Sequence, residues 1–345
     1  MFQGCFTALV TPFAANALDT RGLEQLLDFQ LSSGVAGLLA AGTTGESPTL
    51  SWEEHNQVTE IVARTSARRV MCIAGTGSNN TQETLAGTRH AAESGAQAVL
   101  LVDPYYNGPS SLEIRREYVA PVAKAFPDIQ VIPYIIPGRT GTQMLPEDVA
   151  ILAREFANVS AVKEATGNVE NMRRTRACCQ DTIAILSGDD DMTLSMVQDP
   201  LIRASGVISV TSNIAPKAVS EMMRLALAGQ MEKAREIETA LRPLFQVITV
   251  KTQEDTPYGP VTCRARNPLA TKTLMRILGM PSGESRPPMG KMTRKGLEKV
   301  LEAGRTVWQN NPEILTPVAQ CFGVNIEQRL YDESLLADFA YGSYC

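Results

Sequence analysis

The stretch Ala98-Val99-Leu100-Leu101-Val102-Asp103-Pro104 decides how the rest of the chain is read. Its apolar residues are continuous rather than alternating and stop at an acid and a proline, which predicts a strand buried on both faces. Seven similar runs flank it: FTALV (6–10), AGLLAAG (36–42), VMCIAG (70–75), VIPYIIP (131–137), VSAVKEA (159–165), IAILSGDD (183–190) and GVISVTS (206–212). Helical patterns separate them. In Asp19–Ser33 and Ser51–Thr65 apolar residues recur at three and four, and Ser51 with Glu54 forms a capping-box pattern. Buried strands alternating with helices require parallel pairing through crossover helices. Eight such units predict an α/β chain, a (β/α)8 TIM barrel, over residues 1–228.

An open doubly wound sheet shares this rhythm, and Gly75–Asn80 superficially looks like its dinucleotide loop. The third glycine is missing, which argues against a nucleotide cofactor. Beyond the eighth run, residues 229–304 predict a helical C-terminal extension interrupted by loops such as TQEDTPYGP (252–260) and MPSGESRPPMG (280–290). Residues 305–345 form a tail without a readable motif.

Composition narrows the chemistry. The 345 residues are 44% hydrophobic and 20% charged, with a net charge of −5 and no long basic run, so a nucleic-acid partner is not expected. Neither a signal sequence nor about 18 uninterrupted apolar residues occurs, which predicts a cytoplasmic protein without a membrane span. Seven cysteines, an odd number with no C-x-x-C pair, read as reduced thiols. With only His55 and His90 present, a multi-histidine metal centre is excluded.

In a barrel, functional groups gather where the strands end at the C-terminal face. Lys163 ends the sixth run. Burial there would depress its pKa and supply the neutral amine that imine formation requires; the alternative is a salt bridge to neighbouring Glu164. Lys251, after FQVITV, competes less well, because it lies beyond the repeat on an expected helix leading into solvent. The second run ends in Gly42-Thr43-Thr44-Gly45-Glu46, a turn able to hold a small carboxylate. The fourth ends in Pro104-Tyr105-Tyr106-Asn107, and the fifth contains Tyr134 with Pro137-Gly138-Arg139-Thr140 after it. Two phenols and a guanidinium thus approach the same barrel mouth as Lys163.

With GTTGE, PYYN, PGRT, VKEATGN, SGDD and GVISVTSN in this order, the chain resembles the dihydrodipicolinate synthase and N-acetylneuraminate lyase family of class I aldolases. The likeness covers residues 2–217, and more loosely extends to 303. The first Thr of the turn, Thr43, and the Arg after the fifth run resemble the synthase branch. That resemblance implies an imine between Lys163 and pyruvate, with Thr43, Thr44, Gly188 and Ile208 around the pyruvate. Tyr134 would be the general acid/base, joined in a proton relay by Thr44 and by Tyr106 from a neighbouring subunit of a dimer within a dimer of dimers. Arg139 would bind the carboxylate of aspartate semialdehyde, and no cofactor or metal would be needed. The product would be 4-hydroxy-tetrahydrodipicolinate. Ser47, Trp52, His55, Asn79, Glu83 and Tyr105 match the positions that hold lysine in feedback-inhibited members.

Ile135 stands where synthases usually carry Asn, and Gln253–Arg266 reads as an insertion able to cover the barrel mouth or alter assembly. The competing functions are another pyruvate aldolase, acting on a sugar acid or hydroxy-oxoglutarate, and a catalytically silent lysine-binding regulator.

Overall fold

The computed structural model describes residues 2–344. Each of the eight apolar runs overlaps a barrel strand: β1 (Gly4–Ala8), β2 (Gly37–Ala40), β3 (Met71–Gly75), β4 (Ala98–Val102), β5 (Gln130–Ile135), β6 (Ala161–Glu164), β7 (Ala184–Ser187) and β8 (Gly206–Ser209). All neighbours pair in parallel, and β1 pairs with both β2 and β8, closing the sheet. The crossover helices are α1 (Thr20–Ser32), α2 (Trp52–Ser66), α3 (Thr81–Glu93), α4 (residues 111–125), α5 (Pro146–Glu155), α6 (Val169–Cys179) and α7 (Thr193–Gln198); α8 (Pro216–Leu227) follows the last strand. Asp19 caps α1, and Ser51 and Glu54 form the expected reciprocal cap of α2.

Strand periodicity divides the apolar residues between two cores. Phe6, Leu39, Ile73, Leu100, Ile132, Ala161, Leu186 and Ile208 fill the barrel, whereas their sequence neighbours pack outward against the helices. Lys163 shares its strand face with Ala161 and Ala165 and therefore points inward. Glu164 points outward, where it accepts hydrogen bonds from Thr166 N–H (2.8 Å) and Asn171 Nδ2 (3.0 Å). A Lys163–Glu164 salt bridge is consequently ruled out by the two-residue period of the strand.

The C-terminal extension is mainly helical, as expected, but one of its expected loops is a hairpin. After α9 (Met231–Val247) the chain forms an antiparallel hairpin, β9 (Thr249–Thr256) and β10 (Gly259–Arg266), before α10 (Leu269–Ile277) and α11 (Arg294–Asn310). Lys251 lies on β9, not on a helix. Its strand alternates strictly: Val250, Thr252 and Glu254 are buried on the α11 side, while Lys251, Gln253 and Asp255 are exposed. The turn Pro257-Tyr258 closes the hairpin. Helix α11 runs unbroken past residue 304, and short helices follow it. Among the described residues, no helix is long and apolar enough to cross a membrane.

Candidate active site

Lys163 and Tyr134 are register partners on β6 and β5, and so project side by side into the barrel mouth. Lys163 Nζ lies 4.1 Å from the centroid of the Tyr134 ring. Both residues are nearly inaccessible, at 5% and 4% of their free surface. Burial pushes the Lys163 amine down to about 8, with Arg139 adding to the depression and the carboxylates of Asp189 and Asp190 opposing it. The same burial pushes the Tyr134 phenol up to about 12. A neutral amine is thereby accessible near neutral pH beside a phenol that retains its proton.

Space around the amine is shaped by Gly188. A Cβ there would stand 2.7 Å from Ala165 Cβ and 3.1 Å from Lys163 Cε, so a side chain would displace the lysine. Next in sequence, Asp189 faces the chamber, and burial raises its carboxyl to about 6. Asp190 turns away and accepts hydrogen bonds from Ser209 Oγ, Val210 N–H and Thr211 N–H, fixing the end of β8. Ile208 is packed inside the barrel and does not line the chamber with its side chain.

The two hydroxyls of the Thr43-Thr44 turn have different neighbours. The hydroxyl beside the Tyr134 phenol belongs to Thr43, not Thr44. Thr44 is buried and its Oγ1 accepts a hydrogen bond from Asn267 Nδ2 at 2.9 Å. The turn is further anchored by Glu46, whose carboxylate meets Lys272 Nζ at 2.5 Å in a pair excluded from solvent and also accepts from the Arg286 backbone N–H. Neither Asn267 nor Lys272 stands out in the sequence as a site residue, because each lies more than two hundred residues from the group it contacts. Arg139 also touches this segment, donating through Nη2 to the Asn267 carbonyl at 3.2 Å.

Thr43, Thr44, Tyr134, Arg139, Lys163 and Gly188 line the inner end of one cavity of about 830 Å³, which Asp189 and Asn267 also border. Tyr106 is absent from the cavity of its own chain, with 74% of its surface exposed. The preceding Tyr105 instead borders an apolar cleft of about 210 Å³ reaching Thr43, Tyr134 and Arg139, and a smaller groove of about 170 Å³. Ser47, Trp52, His55 and Glu83 complete that groove, while Asn79 fixes its edge by accepting the Tyr105 N–H at 2.8 Å. His55 Nε2 meets the Gly75 carbonyl at 2.8 Å, so it carries the ring proton; Nδ1 is then a buried acceptor with no hydrogen-bond partner among the described residues. The Trp52 and His55 rings are 5.0 Å apart.

The sequence profile of the Dihydrodipicolinate synthetase family matches residues 1–304. A 4-hydroxy-tetrahydrodipicolinate synthase from Sulfurihydrogenibium sp. is 40% identical over 306 residues, covering 88% of this chain and 98% of its own. A solved dihydrodipicolinate synthase from Acinetobacter baumannii, complexed with pyruvate, superposes with a TM-score of 0.80 at 33% identity, covering 89% of this chain and 99% of its own. The enzyme from Cyanidioschyzon merolae, solved with lysine bound, gives 0.79 at 33% identity, covering 89% and 98%. By the extent of these matches, the chain belongs to the dihydrodipicolinate synthetase family.

Proposed function

We propose that this chain is a pyruvate-dependent lyase of the 4-hydroxy-tetrahydrodipicolinate synthase type, condensing pyruvate with aspartate semialdehyde through an imine on Lys163. The observation that carries this reading is the buried, partly deprotonated amine of Lys163 in register with the protonated phenol of Tyr134. Its family relatives include a structure solved with pyruvate.

The chemistry follows from these positions. The neutral amine adds to the pyruvate carbonyl carbon; Tyr134 donates the proton that lets the carbonyl oxygen leave as water, and an iminium remains. Asp189, facing the chamber, offsets part of that positive charge. The Tyr134 phenolate left by that step takes a methyl proton, converting the iminium to an enamine whose carbon attacks the aldehyde; Tyr134 then returns the proton to the new alkoxide. The semialdehyde's own amine then displaces Lys163 and closes the ring. Thr43 relays protons to Tyr134, with Thr44 held by Asn267 next to it. Arg139 presents a fork of donors to the semialdehyde carboxylate.

Tyr106 completes the relay from a neighbouring subunit, which accounts for its exposure and its absence from its own cavity. Mixing inactive Tyr106→Phe and Lys163→Ala chains tests this: restored turnover is the expected outcome, and none would place Tyr106 outside the mechanism. The small groove is the lysine site, with Glu83 facing an ammonium, His55 Nδ1 accepting from a donor of the ligand and Trp52 covering the aliphatic stem. A relative has been solved with lysine bound. Turnover of pyruvate with aspartate semialdehyde, compared with sugar-acid aldehydes and repeated with added lysine, tests substrate and effector together. Preference for a sugar acid would overturn the first assignment, and indifference to millimolar lysine the second.

A further inference from the structure

The cavity above Lys163 has an outer wall that the proposed reaction does not use. The β9–β10 hairpin, with α11, supplies Lys251, Arg264, Arg266 and Lys299 to it, alongside Arg139 and Lys163 deeper in. Among the described residues, only two carboxylates, Asp189 and Glu302, line the same space. Lys251 and Arg264 are direct cross-strand partners, and Arg266 follows two positions on, on the same face. Like charges directly opposite one another on a sheet weaken the hairpin that carries them. None of the three is in an ion pair among the described residues.

The wall is built and held, rather than draped over the mouth. Lys299 Nζ donates to the Lys251 carbonyl at 2.8 Å and Lys295 Nζ to the Gln253 carbonyl at 2.7 Å, tying β9 to α11. Arg266 Nη1 donates to the Gly138 carbonyl at 3.1 Å, tying β10 to the turn that carries Arg139. Asn267 N–H donates to the Ile248 carbonyl at 2.8 Å and closes the hairpin's base. The buried face (Val250, Thr252, Glu254) packs toward α11, which leaves Lys251 and Arg264 exposed; both border the cavity. A three-carbon acid and a four-carbon aldehyde leave much of about 830 Å³ unoccupied.

We propose that the hairpin forms a second anion site in the outer half of this cavity. Its ligand is a small molecule with two or three closely spaced negative charges, spanning from Arg139 to the Lys251–Arg264 pair. Both a polycarboxylate and a phosphate compound have that chemistry, and a molecule held there blocks the aldehyde's path to the enamine. Only this kinetic consequence rests on the function proposed above; binding does not.

Calorimetric titration of citrate and, separately, inorganic pyrophosphate into the full-length protein tests the site, with ionic strength held constant by acetate. Wild type is compared with Lys251→Ala/Arg264→Ala, which leaves the anchors Arg266 and Asn267 in place and removes the like-charge contact. The expected result is saturable binding of at least one probe, weakened about tenfold or more in the double variant, with the preferred probe identifying carboxylate or phosphate. That probe is also expected to raise the apparent KM for the aldehyde while leaving borohydride-trapped pyruvate on Lys163 unchanged. Equal binding by both proteins, or no binding of either probe at about 10 mM, overturns the proposal. Failure of pyruvate trapping would instead overturn the catalytic reading and leave the binding result standing.

Discussion

The floor and the rim of one cavity are built in opposite ways. At the floor, Lys163, Tyr134, Thr43 and Gly188 sit on or just beyond barrel strand ends, where Lys163 and Tyr134 are buried and their proton affinities are shifted. At the rim, Lys251 and Arg264 project from a two-stranded hairpin and stay solvated. Electrostatic effects are strong and local in the first setting, weak and screened by salt in the second. The contrast separates bond-making from selection: chemistry belongs to the floor, and the choice of what reaches it belongs to Arg139 and the rim.

Substitutions can break that contrast in graded steps. The largest loss short of removing Lys163 is expected from Tyr134→Phe, which keeps the ring against the amine but removes the proton donor. Turnover should fall by about 10²–10⁴-fold, a typical general acid–base contribution, while near-ultraviolet circular dichroism stays native. Retention of wild-type kcat would remove Tyr134 from the proton transfers. Arg139→Ala, at the boundary between floor and rim, should reduce kcat/KM for the aldehyde by about 10–100-fold, in line with loss of a charge-assisted hydrogen-bonded pair. Pyruvate loading should hardly change; an equal defect in both substrates would show that Arg139 shapes the whole chamber.

A smaller, graded effect is expected from pH. The Lys163 amine is lowered to about 8, and only its neutral form adds to a carbonyl. The rate of imine formation from pyruvate should therefore rise with pH and level off above about 8, falling about tenfold per unit below it. A profile still climbing steeply above pH 9 would mean that the amine keeps an ordinary lysine pKa, and that burial does not tune it.

How much of this could be read from the sequence follows the same division. The barrel was legible because strands covered on both faces must be continuously apolar, as Ala98–Val102 and Val131–Ile136 are, and because a lysine closing such a run stands out. The rim was not. β9 and β10 each bury one face at most, and their sequences TVKTQEDT and GPVTCRAR carry so few apolar residues that they resemble a loop. The alternation of Val250, Thr252 and Glu254 and the tight turn at Pro257-Tyr258 were the available signals. Asn267 and Lys272 were illegible for another reason: their partners Thr44 and Glu46 are brought to them only by barrel closure. Thr43 and Thr44 are adjacent and chemically identical, so only the backbone direction at the end of β2 decides which one meets Tyr134.

Every step at the floor of the cavity depends on Lys163 being the nucleophile. Borohydride reduction in the presence of pyruvate, followed by peptide mass analysis, locates that nucleophile. The expected result is one stable pyruvate-derived adduct per chain, located on Lys163 and lost in Lys163→Ala, whose turnover should fall by at least about 10³-fold. An unmodified Lys163, or an adduct on Lys251 or another residue, would contradict it.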